Sequence, residues 1–492
     1  MTVDRYIACD LGAESGRVLL GSLEDERLIL EEVHRFPNGP IDVNGSLRWD
    51  VLRIFEELKT GMRKVAARGV PIAGISCDSW GVDYVLLRGN EPMLTAPYHY
   101  RDGRTDGAFE RAFAIVPADR IFAETGIQFM PINTLYQLHA DSQQRPGILE
   151  AAEFFLNIGD YYNYLLSGVV RAEESLASTT QLYNPFQRSW SADLVAKFNF
   201  PQRIFPLIVP SATLLGPLLP PIAEETGLRD TQVVAGCSHD TAAAVAAVPA
   251  SGEGWAYLSS GTWSLLGVET ARPIVNDLSR SFNFTNEVGF GGRIRFLKNI
   301  IGLWIVQECR RAWARSGREY SYEELTSLAT KAAPLVSLLD PRNEKFGRPG
   351  DMPAKIVEYC RATGQPVPGT VGAMVRCALE SLALCYRKTL AELECAAGCR
   401  ISRLHVVGGG SRNELLNRFT ADAAGIPVFA GPAECTGIGN VLVQSIALGR
   451  LHSLEAARSI VRDSFQPEIY EPQDTGCWEQ AYDRFCRLSE LV

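Results

Sequence analysis

Hydrophobic positions gather in short runs whose period changes along the chain. The apolar run 6–9 stops at Asp10 and reads as a buried strand. Residues 17–23 and 28–36 continue in extended, β-rich patterns on either side of a polar Glu24-Asp25-Glu26 turn. Asp50 then stands where it can cap a helix on which Leu52, Phe55, Leu58, Met62 and Val65 recur at three-to-four spacing, with Gly69 ending it. Residues 72–77 return to a buried strand, and 84–87 followed by Gly89-Asn90 predict a hairpin. Strands, a helix and a further strand make a mixed α/β layer.

The second half repeats that order loosely. Residues 255–259 and 263–268 are two predicted strands around a Ser260-Gly261-Thr262 turn, similar to 8–10 and 18–20 around the turn 11–17. Residues 404–407 form a strand entering Gly408-Gly409-Gly410, a helix follows over 413–424, and 478–491 reads as an amphipathic terminal helix. No fixed short period recurs, which excludes a solenoid. Two halves opening alike predict a duplicated architecture. Its seam falls in the small-residue stretch Val248-Pro249-Ala250-Ser251-Gly252, after a helix over 241–247, giving domains 1–248 and 249–492.

A chain of 492 residues is too long for one core, and about 150 residues per domain allows three units or two large ones. With 46% hydrophobic and 21% charged residues the composition is globular, so disorder, collagen and coiled coil are excluded. A formal net charge of −9 provides no global basic footprint for nucleic acid or membrane. The 12 cysteines include no CxxC pair, and Cys395 with Cys399 lacks histidines at zinc-finger spacing, so reduced thiols of a cytosolic enzyme are expected. The first residues enter a strand without a signal segment, and the apolar stretch 214–223 is broken by Pro217, Pro220 and Pro221. These features predict a cytoplasmic protein with no nucleic-acid or membrane partner.

The chain has no GxxxxGK[ST], no GxGxxG opening a helix and no HExxH. It does have a strand ending in an acid and a glycine turn, Asp10-Leu11-Gly12-Ala13-Glu14-Ser15-Gly16-Arg17. Turn glycines let backbone N–H groups converge on an anion, Ser15 adds a hydroxyl, Arg17 a cation, and Asp10 could hold Mg²⁺ through water. Taken alone, the segment fits an ordinary hairpin turn better. Together with the turns Ser259-Ser260-Gly261-Thr262 and Gly408-Gly409-Gly410-Ser411 it points to phosphate. Ser238-His239-Asp240-Thr241 follows the apolar run 233–237. It fits a helix N-cap, and it fits equally a carboxylate at a strand's carboxyl end, where open α/β sheets bind ligands. Composition leaves both open.

In order along nearly the whole chain, the segments IACDLGAESGRVLL, CDSWGVDYVLL, YRDGRT, GIQFMPINTLYQL, SHDTAAAV, AYLSSGTWSLLG, LKNIIGLWIVQECR, LHVVGGGSRNELLN and GPAECTGIGN resemble the FGGY carbohydrate kinases of the actin-like ATPase superfamily. The loop Ser79-Trp80-Gly81-Val82-Asp83 looks most like members that phosphorylate the ketose L-rhamnulose at O1, in L-rhamnose catabolism. The resemblance implies two actin-like (ribonuclease H-like) α/β ATPase domains with an interdomain cleft, the first mainly for sugar and the second mainly for ATP. It implies Asp240 as general base and Gly81, His239, Asp240, Thr241 and Asn299 as substrate contacts. Ala13, Glu14, Ser15, Gly16, Arg17, Thr262, Gln307 and Gly409 correspond to ATP contacts, and Asp10 to the acid associated with Mg²⁺. Glu14 departs from the family's usual Ser or Thr, so its N–H rather than its carboxylate is expected to serve. The implied partners are a small-molecule ketose and ATP, on a monomer or weak homo-oligomer. L-Fuculose and L-xylulose are alternative sugars, and a non-catalytic sugar sensor is the alternative class. If Asp240 were not the base, Asp10 and Asp83 would be the next carboxylates to consider.

Overall fold

The computed structural model describes residues 3–491, which divide into two compact α/β units. The first comprises Met1–Pro249, Glu269–Phe296 and Cys435–Phe465, and the second Ala250–Val268, Leu297–Glu434 and Gln466–Val492. A single cut at 248/249 follows chain order. Packing assigns two later segments to the first unit, because 3.6- and 2-residue periods report which face is buried and not against which neighbour.

In the first unit, β1 (Val3–Leu11), β2 (Ser15–Glu24) and β3 (Arg27–Pro37) form an antiparallel meander. Helix α1 (Val51–Ala66) follows, with the Asp50 carboxylate accepting the Arg53 N–H at 3.0 Å as its cap. Its buried stripe is Val51, Ile54, Leu58, Met62 and Val65. Leu58, Met62 and Val65 are buried as expected, whereas in the first turn Leu52 is exposed and Phe55 half-buried, and Val51 and Ile54 are buried in their place. Either first-turn pair continues the same spacing, and the partner sheet chooses between them.

Strand β4 (Gly74–Ser79) lies parallel to β1, β6 (Gln232–Ala235) parallel to β4, and β5 (Thr213–Pro217) antiparallel to β6, giving the order β5-β6-β4-β1-β2-β3. Tyr84–Arg88 makes the expected hairpin with Glu91–Pro92 across Gly89-Asn90. Helices α2 (Asp240–Ala246) and α3 (Cys435–Ala447) cross closely, for a Cβ on Gly439 would lie 1.8 Å from the Ala243 carbonyl oxygen. Only glycine permits that approach.

In the second unit, β7 (Trp255–Ser260) pairs antiparallel with β8 (Trp263–Thr270) and parallel with β9 (Arg403–Val407). Strand β10 (Val428–Ala430) lies parallel to β9, and β11 (Glu468–Tyr470) antiparallel to β10. The order β8-β7-β9-β10-β11 carries the same sequence of antiparallel, parallel, parallel and antiparallel pairings as β2-β1-β4-β6-β5. The duplication inferred from two strand–turn–strand openings thus extends to the sheets. Among the described residues no helix is long and apolar enough to cross a membrane. All 12 cysteines are free thiols.

Candidate active site

Three strands of the first unit end side by side. Asp10 near the end of β1 stands opposite Asp78 near the end of β4, in parallel register. The Trp80 N–H donates to the Leu11 carbonyl at 3.2 Å and the Ser79 N–H to the Ser238 carbonyl at 2.9 Å, while Ser79 bridges His239. Asp240 is the next residue and opens α2. Parallel strands expose their carboxyl ends together, so three acids distant in sequence meet at the place where such sheets bind ligands.

Their environments differ. Asp10 is nearly buried and ion-paired with Arg17, its register partner across the β1–β2 turn. Asp78 is wholly buried; its Oδ2 accepts the Asn440 Nδ2–H at 2.6 Å, and its Oδ1 has no hydrogen-bond partner. Burial first, and then the charge of Asp10, hold the Asp78 carboxyl well above the usual carboxylate range. Burial, then Asp10, push Asp240 up to about 7, opposed by hydrogen bonds to its Oδ1 from the Thr241 N–H at 2.5 Å and the Thr241 hydroxyl at 3.1 Å. The Asp240 side chain keeps 28% of its exposure, so the carboxyl remains reachable. It is not the helix cap, because the N-cap position belongs to His239. Burial, and then the neighbouring Arg295, hold His239 well below the ordinary imidazole value, leaving the ring neutral.

Beside this cluster, Gly81-Val82-Asp83 forms a strained loop. A Cβ on Gly81 would lie 3.0 Å from the Thr179 hydroxyl oxygen, and Val82 has φ +68°, a region that β-branched residues rarely enter. The Thr179 oxygen accepts the Val82 N–H at 3.2 Å, and the Thr134 hydroxyl donates to the Val82 carbonyl at 2.6 Å. Strain so firmly held is a feature of ligand-binding loops. Asp83 is buried and fully engaged: it accepts Trp49 Nε1–H at 2.6 Å, Trp80 Nε1–H and Gln137 Nε2–H at 3.0 Å, and the Tyr100 N–H at 3.2 Å. Burial pushes it up to about 6, and its donors hold the loop in place.

The β1–β2 turn is compact, with the Gly12 N–H donating to the Ser15 carbonyl at 3.0 Å. The Glu14 carbonyl accepts the Asn38 N–H at 3.0 Å, and the Ser15 hydroxyl accepts from Arg35 Nη1 at 3.4 Å. Gly16 lies within β2, where a Cβ would lie 2.2 Å from the Phe36 ring, so the glycine leaves the space that this ring fills. Ala13 sits half-buried in the bend of the turn.

In the second unit the β7–β8 turn sits on the start of the helix Trp304–Arg315. The Gly302 N–H donates to the Thr262 carbonyl at 3.1 Å and the Leu303 N–H to the Gly261 carbonyl at 3.0 Å. This brings Thr262 near the helix turn that carries Gln307, whose Oε1 is enclosed without a hydrogen-bond partner. The glycine triplet after β9 also meets the β7–β8 turn, since a Cβ on Gly410 would lie 2.1 Å from the Ser260 hydroxyl oxygen. A Cβ on Gly409 would meet nothing within 4 Å, so this face of the triplet stays open. Asn299 lies on the strand Ile294–Ile301, in a different unit from Gly81, His239, Asp240 and Thr241.

Two family models match this chain: the N-terminal domain of the FGGY family of carbohydrate kinases over residues 5–247, and the C-terminal domain over 256–448. The chain belongs to the FGGY family of carbohydrate kinases. Among its relatives, a rhamnulokinase of Bacteroides thetaiotaomicron is 43% identical over 480 residues, covering 98% of each chain. A rhamnulokinase of Bacillus subtilis is 37% identical over 469 residues, 95% of this chain and 96% of that one. Among solved structures, a gluconate kinase from Lactobacillus acidophilus superposes with a TM-score of 0.81 at 14% identity, covering 99% of this chain and 98% of that one. A Plasmodium falciparum glycerol kinase with ADP reaches 0.79 at 16% identity, with the same coverage. These last two likenesses bear on the fold.

For an FGGY kinase, the structure draws Asp10, Arg17, His239, Asp240 and Thr241 into one region of the first unit, and Thr262, Gln307 and Gly409 into one region of the second. Sequence reasoning missed Asp78, Asn440, Glu287 and Arg295. Asp78 had a legible signal, an acid at the end of a buried strand just as at Asp10. Asn440, Glu287 and Arg295 had none, because each acquires its neighbours only through tertiary packing.

Proposed function

We propose that this chain transfers the γ-phosphoryl group of ATP to O1 of L-rhamnulose, with Asp240 as the general base. The observation that carries the chemistry is Asp240 itself: a reachable carboxyl pushed up to about 7, at the meeting of three strand ends and beside two further carboxylates. The choice of sugar rests on relatives named rhamnulokinase that are 37–43% identical over nearly the whole chain.

The chain's own contribution is to position groups and balance charge, because phosphoryl transfer through a loose transition state needs little covalent help. In the first unit, Gly81, His239 and Thr241 would bind the ketose. The Thr241 donors hold Oδ1 of Asp240, leaving Oδ2 to take the O1 proton as the O–P bond forms. In the second unit, Thr262, Gln307 and Gly409 would hold the nucleotide, and the enclosed Gln307 Oε1 is an acceptor waiting for a donor; in the first, the backbone of Ala13 to Gly16 offers N–H groups to phosphate. Arg17, paired with Asp10, has phosphate as an alternative partner.

A divalent cation fits this region. Asp10 raises the proton affinity of both Asp78 and Asp240, and Asp78 Oδ1 is unpartnered, so ionising either carboxyl carries a cost that a nearby cation would relieve. Among the described residues no group of three His, Cys, Asp or Glu could ligate a metal directly, which favours Mg²⁺ arriving on the nucleotide with Asp10 holding it through water. Bound there, Mg²⁺ supplies charge neutralisation to the β- and γ-phosphates.

A ketose panel with coupled ADP detection tests the proposal. L-Rhamnulose should give the highest kcat/KM, ahead of L-fuculose and L-xylulose and far ahead of glycerol or D-xylulose, because a wrong hydroxyl leaves buried partners unpaired. A higher value for glycerol or D-xylulose would overturn the assignment.

A further inference from the structure

Behind His239 lies an ion pair that no role above requires. Arg295 is completely buried, and its Nη2 stands 3.1 Å from Glu287 Oε2 and 2.9 Å from His239 Nδ1. Its Nε and Nη2 also reach the Val288 carbonyl, each at 3.2 Å. On the other side of the ring, His239 Nε2 lies 3.4 Å from Oδ1 of Asp240. A buried ion pair is seldom better for stability than apolar residues of the same volume, so its presence calls for another account.

We propose that Arg295 and Glu287 are positioning residues for the base, holding His239 as its Nε2–H tautomer and thereby orienting the Asp240 carboxylate. A guanidinium has only donors and does not lose its proton. At 2.9 Å from it, Nδ1 of His239 must therefore accept, and the ring's single proton sits on Nε2, facing Asp240. Glu287 Oε2 is 3.4 Å from the same Nδ1, and a proton on Nδ1 directed at Glu287 is the competing arrangement. It would place an N–H against an N–H at the shorter contact. With Arg295 in place, Oδ1 of Asp240 faces the imidazole N–H as well as the two Thr241 donors, and only Oδ2 is left to receive a proton.

The inference rests on Asp240 being the base, and its test is separable from that reading. In the full-length protein labelled with ¹⁵N-histidine, the His239 signals, identified by their loss in His239→Gln, should show a protonated Nε2 and an unprotonated Nδ1 at neutral pH. Arg295→Met keeps the volume and removes the donors. It leaves Glu287 buried without its cation and should lower the melting temperature; in the folded protein kcat should be down about tenfold to a hundredfold and the ketose KM changed much less, as expected for a misaimed base. Arg295→Lys, with one donor nitrogen restored, should recover part of the loss. An Nδ1–H or doubly protonated His239 in the wild type, or a folded Arg295→Met with kcat within about twofold of wild type, would overturn the proposal. If Arg295→Met does not fold, the wild-type tautomer decides, together with Glu287→Gln, which should also lower kcat. Absence of wild-type turnover on any ketose would count against the proposed function and leave the tautomer result to decide this one.

Discussion

Replacing Asp240 by asparagine isolates proton transfer from everything else the residue does. Oδ1 accepts the Thr241 N–H at 2.5 Å and the Thr241 hydroxyl at 3.1 Å, and an amide oxygen can accept the same two. Size is conserved, and the helix start is preserved because His239 is the cap. What disappears is the second carboxylate oxygen, replaced by an NH₂ that can only donate. Burial and Asp10 push the carboxyl from 3.8 to about 7. At about 1.4 kcal/mol for each tenfold, that is roughly 4 kcal/mol of added basicity, of which partial proton transfer passes on only a fraction. Loss of a positioned base altogether costs about 10²–10⁴-fold, or roughly 3–5 kcal/mol of barrier, and kcat should fall within that range. Stability should move the other way. A carboxyl whose value is raised on folding is protonated in the native state between 3.8 and about 7 while the unfolded chain is ionised, so native stability declines as pH rises across that window. Asparagine has no proton to lose, and above neutral pH the variant should melt at or above the wild-type temperature. The assay is coupled ADP release at saturating ketose and ATP, with thermal melts alongside. Retention of more than about a tenth of wild-type kcat would remove Asp240 from the mechanism. Asp78 and Asp10 would then be examined ahead of Asp83, which is occupied by four N–H donors.

The same carboxyl sets a pH dependence: kcat/KM for the ketose should rise with pH and level off above about 7, and a profile flat down to pH 5 would contradict an elevated base. The glycine triplet yields a paired comparison. Gly410→Ala, whose Cβ would lie 2.1 Å from the Ser260 hydroxyl oxygen, should cost about 1–3 kcal/mol by denaturant titration. Gly409→Ala meets open space and should be near neutral in stability while weakening ATP binding by calorimetry; unchanged ATP affinity would place the nucleotide elsewhere.

Much was legible in the chain alone, and for local reasons. Strand ends one residue past Asp10 and at residue 407 are announced by apolar runs that stop at an acid or a glycine. The Gly89-Asn90 hairpin and the Asp50 cap are short-range chemistry, and all appear where expected. Resemblance over ordered motifs carried the family. Other features depended on contacts between distant segments. The α1 stripe begins with Val51 and Ile54, not Leu52 and Phe55, because the sheet beneath it selects between two pairs at equivalent spacing. Segments Glu269–Phe296 and Cys435–Phe465 join the first unit although they follow most of the chain. The sequence presents Asp240 as a cap or a base with equal ease. What separates the two is burial and the charge of Asp10, 230 positions earlier, brought near only because parallel strands end together. Proton affinity depends on desolvation and on charges through space, and neither is a property of the nearest residues along the chain.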